Sequence, residues 1–434
     1  MQFEFTKEYL NQLKTAIKEK NASFVSEKGA ELHPADIAEI LDELNTDECK
    51  YLFENLEEEK EADVLVEMED DVRKKFLSRL SPKEIVDLII NKINSDDAAD
   101  VIGELSEKVK AKVLALIKDP DQASDIENLL TYDEDTAGGI MAKELVAVDQ
   151  DWTITQCLRE MRKQAEKIHD VYQVYVVDNQ GVLLGLLSLN KMLVAPTNAK
   201  IADIYDKEAT SVTTDTPKEE VANIMEKYDL VVLPVVDNQG KLAGRITIDD
   251  VVDVIKEEAD KDYQMASGIS ENVESSDKVW ILSRARLPWL LIGMLGGILS
   301  SKVIGHYEGE IKIYPEMAFF IPLITAMGGN VGVQSSAIVV KGLANNTLGM
   351  ESLFAKLLKE FGVALINGIC CSAVILSYNY FFSDSMALSL TVSAALLSVI
   401  VFAGILGTLV PLILNKYKVD AALATGPFIT TTND

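Results

Sequence analysis

Histidine and cysteine are scarce in this 434-residue chain, which has three histidines (His33, His169, His306) and four cysteines (Cys49, Cys157, Cys370, Cys371). The cysteines form no CxxC pair and two lie in an apolar stretch, so neither a disulfide framework nor a soft-metal site is expected, and a reducing compartment fits best. There is no GxxxxGK[ST] phosphate loop, no nucleophile elbow and no phosphorylatable-aspartate motif. Those absences argue against an enzyme and for passive transport. The N-terminal MQFEFTKEYLNQLK lacks a basic segment followed by an apolar run, so no cleavable signal peptide is expected and the soluble part should stay in the cytoplasm. Basic charge is also in short supply. The net charge is −28, and of 69 acidic and 41 basic side chains only 8 and 9 lie beyond Trp280. So acidic a first part argues against nucleic acid as a partner. It points to cations, with a merely solubilising surface as the plainer alternative.

A chain of this length suggests about three domains. From Asn11 to about Leu130 apolar residues recur at helical spacing, and three similar phrases open with a Ser, His or Asn near a Pro or Asp. They are LHPADIAEILDEL from Leu32, LSPKEIVDLII from Leu80 and NSDDAADVIGEL from Asn94. This predicts an all-α, superhelical stack of short hairpins. The Gly pair in YDEDTAGGI marks a linker. Beyond it, VVDNQG at Val176 returns at Val235, an offset of 59 residues, each time inside a strand, turn, strand and helix pattern.

These tandem copies, with Thr247-Ile-Asp249-Asp250 closing the second, resemble a pair of CBS (cystathionine-β-synthase-like) domains. The resemblance implies an α/β regulatory module that often binds adenosine nucleotides, with Asp250 as a ribose contact and ATP as a candidate ligand. The first copy has Lys191 at the equivalent position.

Apolar stretches at Leu287–Ile304, Met317–Val340, Phe361–Phe382 and Met386–Leu414 approach or exceed the roughly 20 residues that span a bilayer. A fifth, Val419–Ile429 followed by Thr430-Thr-Thr-Asn433-Asp434, reads as a spanning helix cut short. Arg284, Arg286, Lys341, Lys356, Lys359, Lys416 and Lys418 fall on alternate loops, which predicts the acidic part on the cytoplasmic side. The second stretch holds Gly328, Gly329, Asn330 and Gln334, read either as close helix packing or as a bent, polar wall of an ion path. In the fifth, Gly426-Pro427 frees backbone carbonyls ahead of Thr430 and Asn433. A carboxylate at Asp434 is costly there unless it faces water or a cation.

The phrases PEMAFFIPLITAMGGNVGVQSS and DAALATGPFITTTND, together with the order of acidic helical region, CBS pair and membrane helices, resemble the MgtE magnesium channel family across essentially the whole chain. The resemblance implies a homodimer with its pore on the two-fold axis and an ion site at Asp434 with Thr430 contributing backbone oxygen. It also implies Mg²⁺ bound by Asp63, Asp96 and Asp100 in the helical region, by Asp215, Asp229, Asp249, Asp253, Glu257 and Glu258 in the CBS part, and by Asp420 on the membrane side. Asp250 belongs to the same acidic run. Expected boundaries are 1–132 for the helical domain, 133–262 for the CBS pair, 263–286 for a connecting, plug-like helix and 287–434 for the membrane bundle.

The chemistry agrees with a hard cation, since carboxylate, carbonyl, Thr and Asn oxygens suit hydrated Mg²⁺ but discriminate little against Mn²⁺ or Co²⁺. Asp96 and Asp100, at i and i+4, repel each other in the absence of a cation. Hence the expected mechanism: acidic faces splay at low internal Mg²⁺ and are drawn together at high Mg²⁺, closing the pore. The alternative is a nucleotide-sensing, CBS-regulated transporter of Mn²⁺ or Co²⁺.

Overall fold

The sequence phrases singled out above become helix starts. In the computed structural model, Asn45 and Ser81 close capping boxes with Glu48 and Glu84. His33, Ser81 and Asp119 each precede a proline in the first helical turn. Such caps satisfy amide donors that a short helix cannot bond internally. Helices from Lys7–Lys18 to Pro120–Leu129 follow one another with short turns, the expected all-α stack. The structure describes all residues except 1–5, 58–59, 91, 166–167, 169–170, 272, 274–276, 345–351, 383–384, 420, 422–425 and 434. It divides into two units, Met1–Ile255 and Lys256–Asp434.

In the first unit the VVDNQG repeat folds the same way twice. Strands β1 (Val146–Asp149), β2 (Val174–Val177) and β3 (Leu183–Leu187) make one sheet, and β4 (Val212–Thr213), β5 (Val232–Val236) and β6 (Leu242–Thr247) another. In each the outer pair is parallel and the hairpin antiparallel. The aspartate of each repeat accepts two backbone N–H bonds across its turn, Asp178 from Gln180 and Val182, Asp237 from Gln239 and Lys241, at 2.8 and 2.9 Å. The repeat ends on Gly181 and Gly240 at φ 81° and 79°, a left-handed conformation that favours glycine. One continuous apolar core runs from Leu13 through Ile126 and Met141 to Val254, joining the helical stack to the second CBS copy. The first copy packs around its own core of Val148, Val176 and Leu187.

Among the described residues, the second unit contains four helices long and apolar enough to cross a membrane: Val279–His306, Pro315–Leu343, Leu353–Phe382 and Met386–Lys416. The fourth is the hub, burying Val392, Leu396, Ile400 and Ala403. At Gly407 it meets the backbone of Gly332 on the second helix so closely that a Cβ would stand 2.4 Å from the Gly332 carbonyl oxygen. A further short helix, Pro427–Asn433, packs on the first and second spanning helices.

Of the segment 263–286, expected as a connecting helix, residues 263–266 and 279–286 are the ends of two longer helices, and 272 and 274–276 lie outside the described residues. The helix that closes the second CBS copy runs on from Ile248 to Ala266, and Val279–Arg286 is the first part of the first spanning helix. The reason is local: nothing in Val279–Leu287 breaks a helix, and Pro288 is accommodated within it. Likewise the second span is unbroken helix through Gly328 and Gly329, preceded by a 3₁₀ turn at Pro315–Phe320.

Candidate functional site

Within the first unit, the Ser95–Gly103 helix of the stack and the start of the Ile248–Ala266 helix of the second CBS copy bring Asp96, Asp97, Asp100, Asp249 and Asp250 into one electrostatic group. Asp96 and Asp97 are half-buried and Asp100 keeps an exposed rim, yet protein crowds all three on their remaining sides. That loss of water is the leading reason their carboxyls lie above the usual range, Asp97 and Asp100 at about 7 and Asp96 well raised. Neighbouring negative charge adds to it. Asp97 feels Asp250, Asp100, Asp249 and Glu144, while Asp100 feels Glu134, Glu104 and Asp250, partly offset by Arg73. Asp250 is also raised, chiefly by burial, although its Oδ2 accepts bonds from the Thr247 amide at 3.0 Å and the Thr247 hydroxyl at 2.6 Å. Arg73 is anchored beside the group by Glu104, 2.6 Å from its Nη2.

The Ser95–Gly103 helix is held by a carboxylate from outside the stack. Glu144, just ahead of β1, accepts from the Ser95 amide at 3.0 Å and the Ser95 hydroxyl at 2.8 Å, and the Glu144 carbonyl accepts from Arg245 Nε. Ser95 is fully buried, so the helix start relies on Glu144 where its own N-cap residue, Asn94, makes no side-chain cap bond. Glu144→Ala is therefore expected to cost about 1–3 kcal/mol, the penalty of leaving buried donors unpaired. The check is thermal unfolding with hydrogen exchange at the Ser95 amide. Unchanged stability and protection would remove Glu144 from this role.

Sequence reasoning named Asp96, Asp100, Asp249 and Asp250 and missed Asp97, Glu134 and Glu144. Asp97 was in plain view as the third acid of Ser95-Asp96-Asp97, but helical spacing favoured the i, i+4 pair. Asp63 is exposed on the Glu61–Val66 helix and Asp215 is exposed after β4, its carboxyl lowered by hydrogen bonding, first to Thr213. Asp229 is exposed at the end of the Lys218–Lys227 helix, with a left-handed φ of 51°. Asp253, exposed, lies one turn beyond Asp249. Glu257 and Glu258 lie further along that helix, Glu258 3.2 Å from Lys261. Lys191, which replaces the acid in the first copy, pairs with Asp206. Among the described residues no three His, Cys, Asp or Glu side chains already form a metal cage. The donor set nevertheless suits a hard divalent cation, being carboxylate oxygen in mutual repulsion.

In the second unit, Thr430 lies on the Pro427–Asn433 helix, its hydroxyl 3.3 Å from the Gly426 carbonyl. A Cβ at Gly329 would touch Thr430 Cγ2 at 3.4 Å, and one at Gly296 would overlap Thr431 Cγ2 at 1.9 Å. Glycines thus make the seat for this helix on both neighbours. Asn330 is exposed on the second spanning helix. Asp420, Asp434 and the side chain of Asn433 lie outside the described residues.

A helix bundle of membrane-spanning length, joined to a CBS pair and an acidic helical stack, defines a membrane protein with a soluble regulatory part. Residues 321–434 match a family described as divalent cation transporter (MgtE), 32–135 match the MgtE intracellular N domain, and 137–197 and 201–257 each match the CBS domain. The magnesium transporter MgtE of Thermus thermophilus is 33% identical over 97% of this chain and 94% of its own length. That of Bacillus subtilis is 28% identical over 92% and 91%. A crystal structure of the cytosolic domain of the Mg²⁺ channel MgtE in complex with ATP superposes with a TM-score of 0.53 at 34% identity, covering 56% of this chain and 99% of that one. The chain belongs to the MgtE family of divalent cation transporters.

Proposed function

We propose that this chain is a Mg²⁺ channel of the cytoplasmic membrane, working as a homodimer, whose acidic soluble unit faces the cytoplasm and closes the pore as internal Mg²⁺ rises. The observation that carries this reading is the gathering of five carboxylates, Asp96, Asp97, Asp100, Asp249 and Asp250, on two helices of one unit, where burial first and mutual repulsion second raise the carboxyls of Asp96, Asp97, Asp100 and Asp250. A bound divalent cation would supply the positive charge that the group lacks. Asp96, Asp97, Asp100, Asp249 and Asp250 would hold it, with Asp63, Asp215, Asp229 and Asp253 as further acids of the same unit; the family resemblance implies Glu257, Glu258 and Asp420 as additional ligands. Neutralised, the two helices stay together; bare, they repel. Such a gate works only if the closed state binds the cation more tightly than the open one.

Asp434, Asn433, Thr430 and Asn330 form the ion site of the pore in this reading, all with hard oxygen or amide donors. The basic residues at Lys341, Lys356, Lys359, Lys416 and Lys418 support the orientation. ATP is a candidate ligand at the second CBS copy, where Thr247 and Asp250 carry the ribose-binding pattern and a solved relative holds ATP; in the first copy Lys191 takes the place of the acid. Mg²⁺ influx into proteoliposomes tests the pore. Asp434→Ala is expected to cut influx at least about tenfold, the scale of removing a carboxylate that replaces ion hydration. Influx equal to the parent's would exclude Asp434 from the path.

A further inference from the structure

Away from these residues, the described ends of the second, third and fourth spanning helices enclose a groove of about 480 Å³. Its walls are apolar at Ile338, Val363 and Leu412, and its polar lining has an unusual balance. Lys356 and Lys359, in the first two turns of the third spanning helix, both line it, and among the described residues neither ammonium pairs with a carboxylate. Among the described residues the one carboxylate lining the groove is Glu360, which accepts from the Ser335 hydroxyl at 2.6 Å. Thr408 also lines the groove; it is 3% exposed, and among the described residues its hydroxyl has no hydrogen-bond partner. A buried hydroxyl without a partner at the edge of a groove is costly unless something enters to bond it.

We propose that this groove binds the headgroup of an anionic phospholipid of the cytoplasmic leaflet. The phosphate would sit between Lys356 and Lys359, favoured further by the start of the third helix, and a headgroup hydroxyl or ester oxygen would reach Thr408. The glycerol and upper acyl segments would lie on the apolar walls. A phosphate monoanion uses both free cations and leaves Glu360 to Ser335. A zwitterionic choline headgroup brings a bulky cation that no free carboxylate in the groove receives. The inference rests on the membrane reading and on the orientation proposed above.

The test uses the whole protein, purified in detergent and supplied with phosphatidylglycerol or phosphatidylcholine, with bound lipid counted by native mass spectrometry. The parent should retain phosphatidylglycerol in preference. Lys356→Gln with Lys359→Gln should lower that preference by about thirtyfold, the effect of two such charges. Thr408→Val, nearly isosteric, should reduce retention without lowering the melting temperature in phosphatidylcholine. Equal retention of the two lipids, a preference that survives the double substitution, or crosslinks that put a second copy of the chain in the groove would each overturn the proposal. Mg²⁺ flux measured on the same samples separates the two readings. Normal flux without lipid preference sinks the lipid site alone, and lipid preference without flux sinks the transport reading alone.

Discussion

Gly407→Val is expected to leave a membrane unit that unfolds at markedly lower temperature and conducts little Mg²⁺. A Cβ at Gly407 would come 2.4 Å from the Gly332 carbonyl oxygen and 3.1 Å from the Gly332 Cα, and both neighbours are backbone. A clashing side chain could rotate away, but a helix backbone can yield only by moving the helix. Overpacking costs about 1–3 kcal/mol where side chains can adjust, and this contact offers no such relief. The consequence reaches function because the displaced helix, Ile321–Ala344, carries Asn330 and packs against the helix of Thr430. Gly297→Ala is the control, since a Cβ there meets nothing within 4 Å. Melting in detergent and flux in proteoliposomes are the readouts, and a Gly407→Val protein as stable as the control would show that the second and fourth helices do not meet at this point.

The second large effect concerns pH and Mg²⁺ together. Asp97 and Asp100 have ordinary carboxyl values of 3.8 raised to about 7 in the fold. Between those limits the folded state keeps protons that the unfolded chain has released. The stability conferred is fully present below the unfolded value and is lost as pH rises through about 7. Without divalent cation, the soluble unit should therefore become less stable from pH 5 to pH 7.5. The slope is at most about 1.4 kcal/mol per pH unit for Asp97 and smaller for Asp100, whose rim is screened by solvent. Saturating Mg²⁺ should flatten the slope and stabilise the unit at pH 7.5 by about 2.7 kcal/mol at a hundred times its dissociation constant. Asp97→Asn with Asp250→Asn should reduce the slope without any metal, leaving the part that Asp96 and Asp100 contribute. Denaturant unfolding at several pH values decides it: a metal-free stability that rises with pH, as for ordinary paired carboxylates, would contradict the repulsive group.

Architecture was largely legible in the sequence because its signals are periodic or repeated. Apolar runs of spanning length gave four helices, the VVDNQG repeat gave two equivalent hairpins with the same aspartate-bonded turn, and cap residues before prolines gave the helix starts. The start of the first spanning helix was not legible, because an amphipathic segment, Val279–Arg286, continues into an apolar one without any breaker, and composition shifts are weaker than helical continuity. Helix packing in the membrane was legible only in part. Gly328 and Gly329 drew attention in sequence, but the partners of Gly296 and Gly407 depend on which helices neighbour one another. The acidic group was half legible. Spacing along one helix finds Asp96 and Asp100, whereas Glu144 joins only through folding, as the carboxylate that holds the buried Ser95.

In the function proposed above, the acidic group senses the ion that the membrane unit conducts. The most direct test of that role is Mg²⁺ influx into proteoliposomes with Mg²⁺ clamped at a series of concentrations on the side of the soluble unit, comparing the parent with Asp96→Asn/Asp97→Asn/Asp250→Asn. Parent influx should fall steeply as that Mg²⁺ rises, and the variant should conduct with little dependence on it. Influx in the parent that is indifferent to Mg²⁺ on that side, or a variant with the parent's full dependence, would contradict the sensing role.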